Sequence, residues 1–151
     1  MKYLLDTNII SDLYDTSTQQ HSAIIQRFNT LSNSDCLAIS MVTLYELEYA
    51  YANAPDDKKV VIRNDINHLK ANFEVAPLSQ DSAALFGVLK KQLKDNCMIS
   101  KENIKKHNID LMLASCAICE HYTMVSADKI FTVLQKFHDA LYVEDWTLGI
   151  I

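Results

Sequence analysis

Two glycines and two prolines in 151 residues limit this chain more than any other feature of its sequence. Sandwiches and barrels turn the chain roughly every 8–12 residues, and those turns draw on Gly and Pro. Gly87 and Gly149 stand too far apart for a P-loop or a dinucleotide fingerprint, which gather glycines beside a phosphate. ATP, GTP and NAD sites of those kinds are therefore excluded. Ten asparagines are expected to fill some of the left-handed turn positions that glycine would otherwise take. What remains is a set of helices joined by short loops in one domain, residues 1–151, able to bury about 70% of its unfolded surface.

Short apolar runs alternate with longer helical patterns. Tyr3-Leu4-Leu5 ends at a carboxylate, as a buried parallel strand would. Leu37 to Ser40, Phe73 to Ala76 (stopped by Pro77), Thr123 to Ser126 and Leu141 to Val143 read as four more strands. Between them, Ile24, Ile25, Phe28 and Leu31 recur at helical spacing, and a helical stretch runs from about Val42 to Asn53. Pro55-Asp56-Asp57 caps a helix marked by Ile62, Ile66, Leu69 and Phe73. A Ser79-led helix carries Leu85, Val88 and Leu89 on one side and lysines on the other. Asp110 opens a helix that is apolar nearly all round to about His121, the pattern of a helix buried at the centre of a domain. Strands alternating with helices predict an α/β fold with a mostly parallel five-stranded sheet.

The net charge of −5 is unevenly spread. Residues 90–107 hold six lysines (Lys90, Lys91, Lys94, Lys101, Lys105 and Lys106) against Asp95 and Glu102. Such a stretch is either a solvated helix surface or a phosphate-facing patch. The apolar run at the N-terminus meets Asp6 too soon for a signal peptide, and no run of about 18 apolar residues predicts a membrane span. Cys36, Cys97, Cys116 and Cys119 lack the spacing of a small secreted domain, so reduced thiols in the cytoplasm are expected. Cys116-x-x-Cys119 lies in an apolar helical run, has no second pair to answer it, and reads as core packing.

In open α/β sheets the working groups gather at the carboxyl ends of the strands, where strand order reverses. Those positions here are acidic. Asp6 follows the first strand, Glu46 lies in the helix after the second, Asp128 sits two residues past the fourth, and Asp110 begins the apolar helix before it. Taken singly, Asp6, Asp110 and Asp128 also fit helix N-caps, and Glu46 fits a solvated helix position. Gathered, they need a counter-charge, because two carboxylates about 5 Å apart repel by roughly 3 kcal/mol at an effective dielectric near 20. Only Lys129 adjoins any of them in sequence. Oxygen ligands without His suit Mg²⁺, with Mn²⁺ as the alternative, better than zinc. Metal-assisted phosphodiester hydrolysis is the chemistry such a set serves.

Leu4-Leu5-Asp6-Thr7-Asn8-Ile9-Ile10-Ser11 resembles the start of a PIN domain, the VapC-type toxin ribonucleases in particular. Ser40-x-x-Thr43-x-x-Glu46-Leu47 is similar to the family's second motif, Asp110 to Ser115 to its third, and Val125 to Phe131 to its fourth, with Ser126 where Thr is common. The resemblance implies a three-layer fold and a Mg²⁺-dependent endoribonuclease with metal-activated water. Asp6 and Asp110 would be the principal metal ligands, and Glu46 and Asp128 would hold waters or complete a second site. Thr7, Asn8 and Ser126 would orient those carboxylates. It further implies a small cognate antitoxin and a homodimer, while Lys105 and Lys106 are candidates for the RNA backbone and transfer RNA for the substrate. The turn Glu120-His121-Tyr122 departs from the glycine common there.

Three other readings compete. One is a PIN nuclease that processes RNA without an antitoxin, and another is a non-catalytic PIN-like binding module. The third, a carboxylate-nucleophile phosphatase, needs a second acid where Asn8 stands.

Overall fold

The computed structural model describes residues 1–150. Its sheet has five strands, β1 (Lys2–Leu5), β2 (Cys36–Ser40), β3 (Glu74–Ala76), β4 (Thr123–Val125) and β5 (Tyr142–Glu144). They lie in the order β3-β2-β1-β4-β5, and all four pairings are parallel. The chain steps outward from β1 to β2 to β3, then crosses back to place β4 on the other side of β1. Strand order therefore reverses between β1 and β4.

Side chains alternate between the sheet's two faces, as a buried parallel strand requires. Leu4, Ala38, Ala76 and Met124 enter one core, and Tyr3, Leu5, Ile39 and Val125 enter the other. The first core is covered by α5 (Gln80–Asn96), α6 (Asn108–Cys119) and α7 (Lys129–Gln135). The second is covered by α1 (Thr7–Tyr14), α2 (Gln19–Phe28), α3 (Met41–Asn53) and α4 (Asp56–Asn72). This is the expected three-layer α/β architecture. Helix α6 is the apolar one, with Leu111 and every residue from Leu113 to Ile118 buried. No helix among the described residues is long and apolar enough to cross a membrane.

Several local expectations change. Helix α6 begins at Asn108, with His107 in the capping position, so Asp110 lies inside its first turn and is not its cap. The left-handed non-glycine positions are Met98 and His121, and asparagine takes none of them among the described residues. Both residues terminate helices through chain-reversing bonds. Ile99 N–H donates to Lys94 O at 3.1 Å, and Tyr122 N–H donates to Ala117 O at 2.8 Å, the Schellman pattern that normally favours glycine. His121 thus closes α6 without a glycine. Val88 is exposed, and Leu93 takes the buried place beside Leu89. Tyr45 and Tyr49 are exposed one turn apart on α3 and Tyr142 is exposed on β5, whereas Trp146 is buried, edge-on to Tyr3 and Phe28.

Candidate active site

Pairing of Leu5 with Val125 sets the residues after β1 and β4 side by side where the strand order reverses. These are Asp6 and Ser126, 6% and 2% exposed. Ser126 Oγ donates to Asp6 Oδ2 at 2.7 Å. The Thr7 N–H donates to the other oxygen, Oδ1, at 2.7 Å, so Asp6 also caps α1. Asp128 caps α7, accepting from the Ile130 N–H at 3.0 Å, and its own N–H donates to Ser126 Oγ at 3.0 Å. The Ser126 hydroxyl therefore links two acids, giving its proton to one and accepting the amide of the other.

Glu46 arrives from α3, where Thr7 Oγ1 donates to its Oε1 at 2.6 Å. Thr43, one turn earlier on the same face of α3, is fully buried, and its hydroxyl has no partner among the described residues. Asp110 comes from the first turn of α6, its side chain 23% exposed and its Oδ2 3.7 Å from His107 Nδ1. Asn8 is exposed in the first turn of α1 and bonds none of the four acids. Capping and clustering are not rival accounts here, since Asp6 and Asp128 do both.

The acids share one electrostatic environment. Burial pushes Asp110 from its ordinary 3.8 up to about 6, the charges of Asp128 and Asp6 add to that, and His107 pulls it down. Asp6 is also raised, chiefly by burial, against the lowering bonds from Ser126 and Thr7; Asp128 and Glu46 raise it further. None of the four acids is paired with a Lys or Arg among the described residues. Nor do three His, Cys, Asp or Glu side chains there already close around one point. Mg²⁺ keeps several waters and needs only one or two carboxylates. A loosely gathered set of uncompensated oxygen donors fits such an ion, or Mn²⁺, and offers no closed cage of the kind a structural zinc takes.

Lys105 and Lys106 are exposed on a 3-10 turn, Asn103–His107, that runs directly into α6. Elsewhere in the lysine stretch Lys90 donates to Asn108 Oδ1 at 2.9 Å, and Lys91 is paired with Asp95. Cys116 is buried, its thiol pushed up to about 11 chiefly by that burial, as core packing predicts. Neither motif nor periodicity singles out His107. The one available signal was a His three residues before an acid at a helix start.

A family model described as PIN domain matches residues 3–136. No curated protein matches the sequence. Among solved structures, the chain resembles VapBC2 from Rickettsia felis bound to a DNA fragment from its promoter, with 24% identity and a TM-score of 0.73 over 97% of this chain and 99% of that one. VapBC-1 from nontypeable Haemophilus influenzae gives 24% identity and a TM-score of 0.75 over the same shares of the two chains. VapBC-5 from Mycobacterium tuberculosis, a member of the VapBC family of toxin–antitoxin systems, gives 17% and 0.66 over 95% of this chain and 98% of that one. At these identities the likeness establishes the fold.

Proposed function

The chain belongs to the PIN-domain family, a family of nucleases that generally use divalent metal ions, and from that premise we propose that it is a Mg²⁺-dependent endoribonuclease and the VapC-type toxin of a toxin–antitoxin pair. One observation carries the reading. Carboxylates from separate segments lie near enough, where strand order reverses, for Asp128 and Asp6 to act on Asp110, which burial first and then those charges push up to about 6. Acids gathered in a partly buried place with no Lys or Arg to balance them are costly unless a cation uses them.

Asp6 and Asp110 hold the metal, and Glu46 and Asp128 orient water around it or complete a second site. When bound, a divalent ion supplies positive charge at the scissile phosphate and acidity to water. The chain's residues do the positioning. Ser126 fixes the Asp6 carboxylate and the Asp128 backbone together, Thr7 fixes Glu46 through its hydroxyl, and Asn8 stands at the exposed rim of the same helix turn. The whole chain, residues 1–151, works as one nuclease domain.

Lys105 and Lys106 meet the RNA backbone beside Asp110, with transfer RNA as the first substrate to try. Charge reversal at both positions should weaken RNA binding and flatten its dependence on salt; an unchanged slope makes the pair a solvated surface. The structural likeness to VapBC complexes supports a small antitoxin partner, and a cytoplasmic homodimer belongs to the same reading.

The test is cleavage of a labelled transfer-RNA pool by the purified chain with Mg²⁺ and with EDTA, using Asp6→Asn as the contamination control. Cleavage that needs the metal and vanishes in the variant supports the nuclease. Equal cleavage by the variant, or none by the wild type across RNA classes, overturns it.

A further inference from the structure

We propose that His107 supplies a nitrogen ligand to the metal held by Asp110, giving this centre a mixed imidazole–carboxylate donor set. The inference rests on reading the acidic centre as a metal site and concerns which atoms bind there. His107 Nδ1 lies 3.7 Å from Asp110 Oδ2, too far for a hydrogen bond, and both side chains are partly open to solvent, 33% and 23%. Two donors that share one cation at about 2.1 Å each stand ~3.0 Å apart at a right angle and ~3.4 Å apart at a tetrahedral angle. The observed pair is within a few tenths of an ångström of the second and less than ~1 Å from the first.

Chain geometry keeps the two together. The 3-10 turn Asn103–His107 runs straight into α6, so the imidazole and the carboxylate, three residues apart, project from neighbouring positions on one helical surface. No Lys or Arg competes for Asp110 among the described residues. Imidazole favours later first-row metals over Mg²⁺, whereas carboxylate and water suit Mg²⁺ and Mn²⁺ equally. His107 should therefore tilt the centre towards Mn²⁺ and Co²⁺.

The decisive measurement is pulsed EPR of Mn²⁺ bound to the full chain, compared with His107→Asn, since asparagine is a good helix N-cap and preserves the start of α6. Expected is a ¹⁴N coupling of directly bound imidazole in the wild type and its loss in the variant. Calorimetric titration should show Mn²⁺ affinity falling at least about tenfold, the low end of what loss of even an outer partner does to a metal site, with Mg²⁺ affinity changing less. Mn²⁺ bound without that coupling, or with a coupling that survives the substitution, overturns the nitrogen ligand and leaves the acidic metal centre standing. No binding of Mn²⁺ or Mg²⁺ at all overturns both.

Discussion

Glu46 and Glu48 sit two residues apart on α3 and live in opposite electrostatic worlds. Glu48 turns towards α4, where Arg63 Nη1 and Nη2 donate to its two oxygens at 2.9 and 2.8 Å and Lys70 approaches to 3.8 Å. Those cations hold its carboxyl below the ordinary range, Arg63 first. Glu46 turns the other way, to the neutral hydroxyl of Thr7 and towards Asp6, whose carboxyl is raised chiefly by burial and further by the charges of Asp128 and Glu46. A carboxylate serving stability is given its counter-charge by the chain. On the proposed function, a carboxylate left for chemistry is given hydroxyls and amides, which orient it without neutralising it.

The sharpest way to break that contrast is activity. Asp6→Asn should reduce metal-dependent RNA cleavage to background, whereas Glu48→Gln should leave the rate unchanged. A comparable loss in both variants would mean that the distinction between paired and unpaired acids has no functional content.

Next in size is Ser126→Ala, which removes the hydroxyl shared by Asp6 and Asp128. About 10–100-fold lower activity or metal affinity is expected, the usual consequence of losing an orienting partner. Titration calorimetry with Mn²⁺ separates loss of the metal from loss of rate.

Stability should respond with the opposite sign at the two sites. Asp110 binds its proton more tightly folded, near 6, than unfolded, near 3.8, so its contribution to stability falls as pH rises between those values and stays low above them. Asp110→Asn should therefore stabilise the metal-free chain at pH 7, by on the order of 1–2 kcal/mol, and change little at pH 4. Thermal unfolding in EDTA across that range checks it, and destabilisation at pH 7 would refute the electrostatic account. Added Mg²⁺ should narrow the gap by stabilising the wild type. The smallest effect belongs to Glu48→Gln, a slight loss of stability at neutral pH that high salt erases, as for partly exposed ion pairs.

The layout of the fold was legible because buried parallel strands announce themselves as short apolar runs, and Asp6, Glu46, Asp110 and Asp128 stand beside the ends of such runs or on the helices around them. What was not legible depends on contacts between distant segments. The start of α6 is hidden in the sequence because an acid before an apolar run looks like a cap, and only the three-dimensional start at His107 shows Asp110 inside the first turn. The left-handed positions went to Met98 and His121, since helix-ending bonds from Ile99 and Tyr122 impose that geometry on whatever residue is present. Val88 is exposed because α5 meets the core through Leu89 and Leu93, a choice of face that its three lysines, Lys90, Lys91 and Lys94, do not specify. The motif singles out Ser126, but its two hydrogen bonds, donated to Asp6 and accepted from the Asp128 N–H, depend on the register of β1 with β4.

That register has a consequence in time. The oxygen atoms of Asp6 and Ser126 meet across 120 residues of chain, and Asp110 and Asp128 are also made late. A polypeptide emerging from the ribosome presents its first acid early and completes the centre only once β4 has threaded in beside β1. A chain cut short before residue 123 lacks β4, Ser126 and Asp128 together. On the proposed function, the growing chain therefore cannot cut the RNA around it until β4 has been made and has paired with β1.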